Sequence, residues 1–194
     1  LIMEAAVNDD LTYQEDFLDE MINGEILLTS LRSTINHNRV CWNIFRAFGN
    51  QLEGKECEAF GAGMDVYLSE KDRVIPDVMI ICSKDIIRDN GIYGTPDLVV
   101  EVLSPGTEKR DRGIKKNLYE ICGVKEYWLA NPEIKSVEVY LLIDQKFYLD
   151  EVYRIFPDYI RLSETEKEQY KTNVKVSLYD DFYIPLSTIF LNVK

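Results

Sequence analysis

Two acidic residues stand inside stretches of sequence that are otherwise apolar. Glu101 lies within the run Leu98–Leu103, and Asp77 stands between Pro76 and the run Val78–Ile81. An ionised carboxylate that is buried without a partner costs several kcal/mol, so each of these needs a cation, a metal ion or a proton. Carboxylates on neighbouring strands can share one Mg²⁺, a cation that selects oxygen ligands. The alternative is structural, with Asp77 capping a turn and Glu101 paired with an arginine.

The helix predicted after Glu101 offers a positively charged partner. Its apolar stripe consists of Ile114, Leu118, Ile121 and Cys122. Lys115 falls about 75° from the centre of this stripe, and Lys116 falls about 175° from it. Lys115 can therefore extend along the sheet toward Glu101, whereas Lys116 is expected in solvent. An ordinary lysine at the rim of the helix is the alternative for Lys115.

The histidine and cysteine content gives little support for other kinds of site. Four cysteines, Cys41, Cys57, Cys82 and Cys122, are far apart in sequence and form no C-x-x-C pair, so a Cys/His zinc site is not predicted. We expect reduced cysteines that pack as small hydrophobic residues, as in cytoplasmic proteins. His37, the single histidine, would have to be the base of any Ser-His-Asp site. We expect it either in ordinary packing or near the acidic cluster, in contact with a phosphate or a water molecule.

The overall composition excludes several classes of protein. The chain has 194 residues, of which 46% are hydrophobic, and its 22 Lys and Arg against 34 Asp and Glu give a net charge of −12. Such acidity argues against broad, backbone-driven binding of nucleic acid. The dense basic segment Lys109–Lys116 could bind phosphate or form a solvated helix face. No apolar run approaches the ~20 residues of a membrane span, and we expect a cytoplasmic protein that does not bind membranes.

The hydrophobic periodicity predicts a mixed α/β protein with a helix crossing over beside a central strand. Helices are predicted at 12–22, 34–52 and 107–122, and strands at 25–31, 65–68, 76–82, 97–103, 126–130, 136–142, 146–152 and 174–178. The run Leu98–Leu103 is apolar on both faces, which is typical of a central strand that is covered on both sides. We expect one domain over residues 1–194, with its core at 12–142 and C-terminal strands and a tail at 143–194.

A series of motifs in the middle of the chain also carries a resemblance to a known family. The motifs are Pro76-Asp77-Val78, the segment Pro96–Pro105, Arg110–Gly113 followed by Lys115, Leu118 and Tyr119, Gly123–Leu129, and Val137–Tyr140. In this order they resemble the Uma2 family, also called DUF820, which is related to the PD-(D/E)XK nucleases. Upstream, Asn23–Ile26 and His37–Val40 are similar to the opening of that family.

The resemblance implies a restriction-endonuclease-like core, a mixed sheet flanked by helices with acidic residues gathered at one edge. Asp77 and Glu101 match the two acids that hold Mg²⁺ or Mn²⁺, and Glu25 matches an additional acid that completes the metal shell. The nuclease motif has a lysine two residues after the second acid, where this chain has Leu103. Lys115, on the following helix, matches the displaced lysine.

The activity implied by this resemblance is metal-dependent hydrolysis of DNA phosphodiester bonds at an Asp/Glu/Lys site. We also expect a homodimer, because two-fold symmetry provides one site for each DNA strand, and Val174–Phe190 offers surface for a partner. Two alternatives stay open. One is a nuclease-fold protein that acts as a binding or regulatory module without catalysis, which the net charge and Leu103 favour. The other is a hydrolase of small phosphoesters, which needs a closed pocket.

Overall fold

A six-stranded mixed sheet forms the centre of the protein. The computed structural model describes residues 17–30, 33–157, 160–163, 165–166 and 170–194. Across this central sheet the strands are β12 (Lys146–Arg154), β11 (Ser136–Ile143), β10 (Glu126–Asn131), β9 (Leu98–Val102), β6 (Val78–Ile81) and β3 (Glu58–Gly61). Strands β9 and β10 run parallel, and the other neighbouring pairs run antiparallel.

The central strands bury side chains on both faces of the sheet. Val100 of β9 belongs to a first core with residues of the long helix and the C-terminal strands, whereas Val99 belongs to a second core on the opposite face. All five residues of β9 are buried, which confirms the prediction of a central strand covered on both sides. Because side chains alternate along a strand, Glu101 shares the face of Val99.

A second six-stranded sheet contributes to the second core. Its strand order is β2 (Glu25–Ser30), β1 (Phe17–Ile22), β5 (Asp72–Val74), β4 (Val66–Ser69), β8 (Gly91–Tyr93) and β7 (Ile87–Arg88). A two-stranded sheet pairs β13 (Asn173–Lys175) with β14 (Tyr183–Pro185). The mixed α/β prediction is confirmed by this arrangement.

The helix predicted over residues 12–22 is wrong where the structure describes it. Phe17–Ile22 is strand β1, and residues 12–16 lie outside the described part of the chain. Asn23 and Gly24, with φ of 54° and 80°, form a two-residue turn that leads directly into β2. Asn-Gly with positive φ at both positions is the favoured turn of a β-hairpin, and it overrides apolar spacing that also fits a helix. The change from helix to strand puts Glu20 and Ile22 on one buried face.

Two helical regions pack on the two faces of the central sheet. Helix α1 (Ile35–Leu52) begins as predicted at Thr34, whose Oγ1 accepts a hydrogen bond from the His37 backbone N–H. Between β9 and β10 the chain forms α2 (Glu108–Arg110), a π-helical turn (Asp111–Lys115) and α3 (Lys116–Cys122), which is the predicted crossover. A 3₁₀ turn (Lys84–Ile86) and α4 (Leu186–Ile189) are two further helical segments.

The inward face of the crossover differs from the predicted apolar stripe. The buried residues are Asp111, Lys115, Leu118 and Tyr119, whereas Ile121 is 81% exposed. The π-helical turn adds a residue to one turn and so rotates the upstream face relative to α3. Lys115 therefore lies on the buried face itself, not beside it.

The C-terminal segment belongs to the first core. Val174, Phe182, Ile184 and Ile189 are all buried, in a cluster that includes α1 residues. Most apolar side chains of Val174–Phe190, the segment expected to offer surface to a second subunit, are thus used within the chain, and the homodimer stays a prediction.

Two of the cysteines also differ from expectation. Cys57 and Cys82, beside the paired ends of β3 and β6, form a disulfide, so the expectation of four reduced cysteines is wrong for this pair. Cys41 and Cys122 are free. None of the helices in the described ranges is long and apolar enough to span a lipid bilayer.

Candidate active site

Lys115 and Glu101 form a buried ion pair between the crossover and β9. Lys115 Nζ lies 2.6 Å from Glu101 Oε1, and the Tyr119 hydroxyl donates a hydrogen bond to the same oxygen over 2.7 Å. The side chains of Lys115 and Glu101 are only 2% and 4% exposed. Leu103, at the usual position of the nuclease lysine, is buried in the second core. The ammonium group thus reaches Glu101 from the helix.

Glu20 of β1 is the third member of this buried cluster. Its Oε1 accepts hydrogen bonds from Lys115 Nζ at 3.0 Å and from the Ile75 backbone N–H at 2.9 Å. Its Oε2 is buried without a hydrogen bond, and Arg110 Nη2 lies 3.6 Å away. Sequence reasoning missed Glu20 because residues 12–22 were interpreted as a helix. The Asn-Gly hairpin turn was the signal, since strand alternation then places Glu20 on the buried face.

The structure does not bring Glu25 to the other predicted site residues. Glu25 begins β2 on the far side of the hairpin turn, and its side chain is exposed. Glu25 pairs with Ile22 across the hairpin. Ile22 is two residues from Glu20, and two residues along a strand span roughly 7 Å. Of the two glutamates beside this turn, Glu20 and not Glu25 lies in the buried cluster.

Asp77 lies directly before β6 and connects the end of β9 with α1. Its Oδ2 accepts a hydrogen bond from the Val102 backbone N–H at 2.7 Å and lies 3.3 Å from His37 Nε2. His37 Nδ1 lies 3.4 Å from Cys41 Sγ, one helical turn further along α1. His37 thus stands beside the acidic cluster, one of the two environments expected for it.

A cavity of about 500 Å³ opens over these side chains. Glu20, Asp77, Glu101 and Lys115 all line it, together with residues from α1 and from the segment that follows β9, namely Thr34, His37, Asn38, Ser104, Thr107, Arg110 and Asp111. The contacts of Asp77 and Glu101 described above all use Oδ2 and Oε1. The second oxygen of each carboxylate takes part in none of them.

The charges in the cluster strongly influence one another. Burial raises the pKa of Glu101 well above its ordinary value, and the negative charges of Asp111, Asp77 and Glu20 add to this effect against the opposing charge of Lys115. Burial alone would lower the pKa of Lys115, but Glu101, Glu20 and Asp111 outweigh it and raise that pKa. Lys115 therefore stays protonated at neutral pH.

Burial and nearby charges also shift the pKa values of Asp111, Cys41 and His37. Burial raises the pKa of Asp111, and it raises the pKa of the Cys41 thiol, with Asp77 and Glu101 adding to the second shift. Burial lowers the pKa of His37, but the hydrogen bond and charge of Asp77 more than compensate, so the net shift is upward. Negative charge is thus in excess around the cavity.

A hard divalent cation fits these donors. Asp77, Glu101 and Glu20 supply carboxylate oxygens to one cavity, and Glu20 Oε2 is a buried acceptor without a donor. Oxygen ligands of this kind suit Mg²⁺ or Mn²⁺, and the charge of such an ion would offset the crowded carboxylates. The residues present are therefore compatible with the predicted metal.

The basic segment that could have bound phosphate is largely neutralised within the chain. Arg112 forms two hydrogen bonds with Glu138, at 2.8 and 3.0 Å, and one with Glu108 at 2.9 Å. Lys116 Nζ lies 3.9 Å from the centre of the Tyr140 ring. Of the basic residues in this segment, Arg110 and Lys115 line the cavity.

Comparison with protein families identifies the chain. The model of the Uma2 family, described as "Putative restriction endonuclease", matches residues 10–175. The chain belongs to the Uma2 family. It is 30% identical to the uncharacterized protein sll1609 of Synechocystis sp. over 138 residues, which are 70% of this chain and 71% of that protein. It is 34% identical to the uncharacterized protein slr1290 of the same organism over 107 residues, 54% of this chain and 56% of that protein.

A solved structure supports the fold of this Uma2 protein. It is the crystal structure of a protein from Anabaena variabilis, titled a putative nuclease belonging to DUF820. The two superpose with a TM-score of 0.64 over 89% of each chain, at 17% sequence identity. The predicted restriction-endonuclease-like fold is confirmed by this similarity.

Proposed function

We propose that this protein is a DNA endonuclease that hydrolyses phosphodiester bonds with Mg²⁺ or Mn²⁺. The observation that carries the proposal is the buried cluster of Glu20, Glu101 and Lys115, which lines one cavity with Asp77. Carboxylates that can hold a divalent ion, with a lysine beside them, suit metal-assisted phosphodiester hydrolysis. Membership of the Uma2 family supports the same class of reaction.

Each side chain has a distinct role in the proposal. Asp77 and Glu101 hold the ion through the oxygens that their protein contacts leave available, and Glu20 is the further acid in place of Glu25. When bound, the ion stabilises charge on the scissile phosphate and lowers the pKa of a water molecule. Lys115, whose raised pKa keeps it charged, orients that water and stabilises the negative charge that develops on the phosphate.

The outer face of α1 is the surface that we propose for DNA. Between Ile35 and Leu52 the helix contains Arg39 and Arg46 but no Asp or Glu, in a chain of net charge −12. Trp42, at helical spacing between the two arginines, is 61% exposed. Arginines suit phosphates, and an exposed indole suits stacking on an unpaired base. The same helix supplies His37 and Asn38 to the cavity.

Three broader expectations remain proposals. The first is a homodimer, which rests on the need to cut two DNA strands and no longer on the C-terminal segment. The second is a single domain over residues 1–194, and the third is a cytoplasmic location.

A module that binds without catalysis is the second candidate function. The observation in its favour is that Lys115 contacts both Glu101 and Glu20, a pairing that also serves as a structural ion pair. A titration of metal binding together with an assay of DNA cleavage separates the two candidates. The binding module predicts either no Mg²⁺ binding or binding without any cleavage of DNA.

The test is incubation of the protein with plasmid and single-stranded DNA in the presence of Mg²⁺ or Mn²⁺. We expect cleavage by the wild type and none by Glu101→Ala. Asp85→Ala is the matched control, because Asp85 lies in the exposed turn Lys84–Ile86 outside the cavity. With Ca²⁺ replacing Mg²⁺, Trp42→Ala should weaken DNA binding about tenfold or more, the loss of one base–aromatic stack. Failure of the wild type to cleave any of these substrates would contradict the proposed activity.

A further inference from the structure

The single histidine lines the cavity and contacts Cys41, one of the two free cysteines. Helix α1 places His37 and Cys41 four residues apart and so on one face, and Asp77 approaches that face from the residue directly before β6. One ligand atom from each of the three side chains can be chosen so that all three atoms lie within 4.8 Å of one another. The Asp77 and Glu101 site described above does not use the imidazole or the thiol.

The spacing of these atoms resembles that of ligands around a tetrahedral ion. Bonds of about 2.0–2.3 Å require ligand atoms roughly 3.3–3.8 Å apart. The contacts from the imidazole measure 3.3 Å to Asp77 and 3.4 Å to Cys41, although they use different ring nitrogens. A rotation of the His37 ring would let a single nitrogen share one ion with the sulfur and a carboxylate oxygen, since one ligand atom of each residue already lies within 4.8 Å of the other two.

The chemistry of this donor set differs from that of the three carboxylates. A thiolate and an imidazole are soft or borderline ligands that select Zn²⁺ or Co²⁺ over Mg²⁺. The negative charges of the thiolate and Asp77 balance the two positive charges of such an ion. The thiol proton leaves to solvent when the metal–sulfur bond forms. Asp77 is held by the Val102 backbone N–H, and the cavity leaves room for a water molecule as fourth ligand.

We propose that His37, Cys41 and Asp77 form a second metal site, which binds a borderline transition-metal ion of the Zn²⁺ class. The site is independent of nuclease activity in its chemistry, but it shares Asp77 with the proposed Mg²⁺ site. An ion bound at His37 and Cys41 would therefore compete for Asp77. On the proposed function, Zn²⁺ is then an inhibitor of Mg²⁺-dependent cleavage.

Co²⁺ is the probe for this site, because a thiolate–cobalt bond has a near-ultraviolet charge-transfer band. The metal-free protein is titrated with Co²⁺ under argon and without reductant, so that Cys57 and Cys82 remain paired. We expect the band in the wild type and its loss when Zn²⁺ is added. Excess Mg²⁺ should raise the Co²⁺ Kd, because the two ions compete for Asp77, but saturating Co²⁺ should restore the band. Cys41→Ser should abolish the band, and His37→Ala should raise the Co²⁺ Kd at least about tenfold.

Cys122→Ser is the matched control, because Cys122 is the other free, half-buried cysteine and lies at the end of α3. It should leave the band and the Co²⁺ affinity unchanged. No band in the wild type, or a band that survives in Cys41→Ser, would overturn the proposal. So would a band lost in Cys122→Ser alone.

A measurement on the wild type avoids any dependence on folding of the variants. Zn²⁺ should slow the alkylation of Cys41 by iodoacetamide at least about tenfold, with little effect on Cys122, as read by peptide mass spectrometry. Equal protection of the two cysteines, or protection of neither, would overturn the site. Because neither experiment measures cleavage, a protein without nuclease activity would still give a clear result.

Discussion

Two buried glutamates on adjacent strands of the central sheet are stabilised in different ways. Glu101 of β9 contacts the charged Lys115 and lines the cavity. Glu126 of β10 is fully buried, and it accepts hydrogen bonds from the Trp128 indole and from the backbone and hydroxyl of Ser177. The first carboxylate has a cation and a cavity, and the second has only neutral donors.

The difference indicates which buried acid is a candidate for chemistry. Burial raises the pKa of both glutamates, so that shift alone does not distinguish them. The hydrogen bonds to Glu126 use both of its oxygens and attach the C-terminal segment to the central sheet. The contacts of Glu101 use one oxygen and leave the other for a ligand. A buried acid with incomplete contacts beside a cavity is therefore the more informative signal.

The largest expected effect concerns the lysine beside Glu101. Lys115→Ala should lower the rate of DNA cleavage by about 10²–10⁴, the range for losing a positioned charge stabiliser or acid–base group. Metal affinity should change little, because the proposed ligands are carboxylates. Lys116→Ala is the control and should retain most activity, since Lys116 packs over Tyr140 outside the cavity. A greater loss in Lys116→Ala than in Lys115→Ala would reverse the assignment.

Metal binding should stabilise the folded protein through the cavity and not through Glu126. At 100 times its Kd, Mg²⁺ should raise the free energy of unfolding by about 2.7 kcal/mol. Asp77→Asn should abolish this gain. The metal-free variant should be at least as stable as the wild type, because the change relieves carboxylate repulsion and the amide oxygen can still accept the hydrogen bond from the Val102 backbone N–H. Asp97→Asn is the control, since Asp97 pairs with Lys125 and Cys82 and should keep the gain. Thermal melts with and without Mg²⁺ measure both effects.

The two glutamates of the first hairpin should differ in their effect on cleavage. Glu20→Gln should reduce the cleavage rate about 10–100-fold, the usual loss when a group that orients a metal site is removed. Glu25→Gln should have almost no effect, because its side chain is exposed and outside the cavity. Initial rates on one DNA substrate under one metal concentration provide the comparison. Equal rates for the two variants would favour a purely structural role for Glu20.

The smallest effect is a pH dependence of stability from Glu126. Burial raises its pKa above the ordinary 4.5, so the folded state holds the proton more tightly than the unfolded state does. This stabilisation is complete below pH 4.5 and is lost as the pH rises through the raised pKa. As the pH rises through this range, the free energy of unfolding of the wild type should fall relative to that of Glu126→Gln. The fall should be about 1.4 kcal/mol for each unit by which folding raises the pKa of Glu126.

Urea denaturation at several pH values measures this difference. Glu133→Gln is the control, because Glu133 is exposed, and its stability should follow the pH dependence of the wild type. If Glu126→Gln shows the same pH dependence as the wild type, the protonation of Glu126 is not linked to folding, and this prediction is wrong.

Much of the fold was predictable from local patterns. The central strand β9, the long helix α1, the crossover and the hairpin of β11 and β12 follow from periodicity and from Gly or Pro boundaries. The error at β1 came from apolar spacing that fits both a helix and a strand, and the Asn-Gly turn resolves it. The phase of the crossover was not predictable in this way, because burial of the charged Lys115 depends on partners outside the helix.

The sequence by itself determined that Glu101 and Asp77 lie in apolar surroundings and need partners, since burial of an unpaired charge is costly wherever the chain folds. It also determined, through Asn23-Gly24, which residues of β1 share a face. Only the tertiary structure decided that Glu20 meets Lys115 across 95 residues, and that Asp77 stands beside His37 and Cys41. Periodicity describes one element at a time, whereas a site depends on the few ångströms between side chains of different elements.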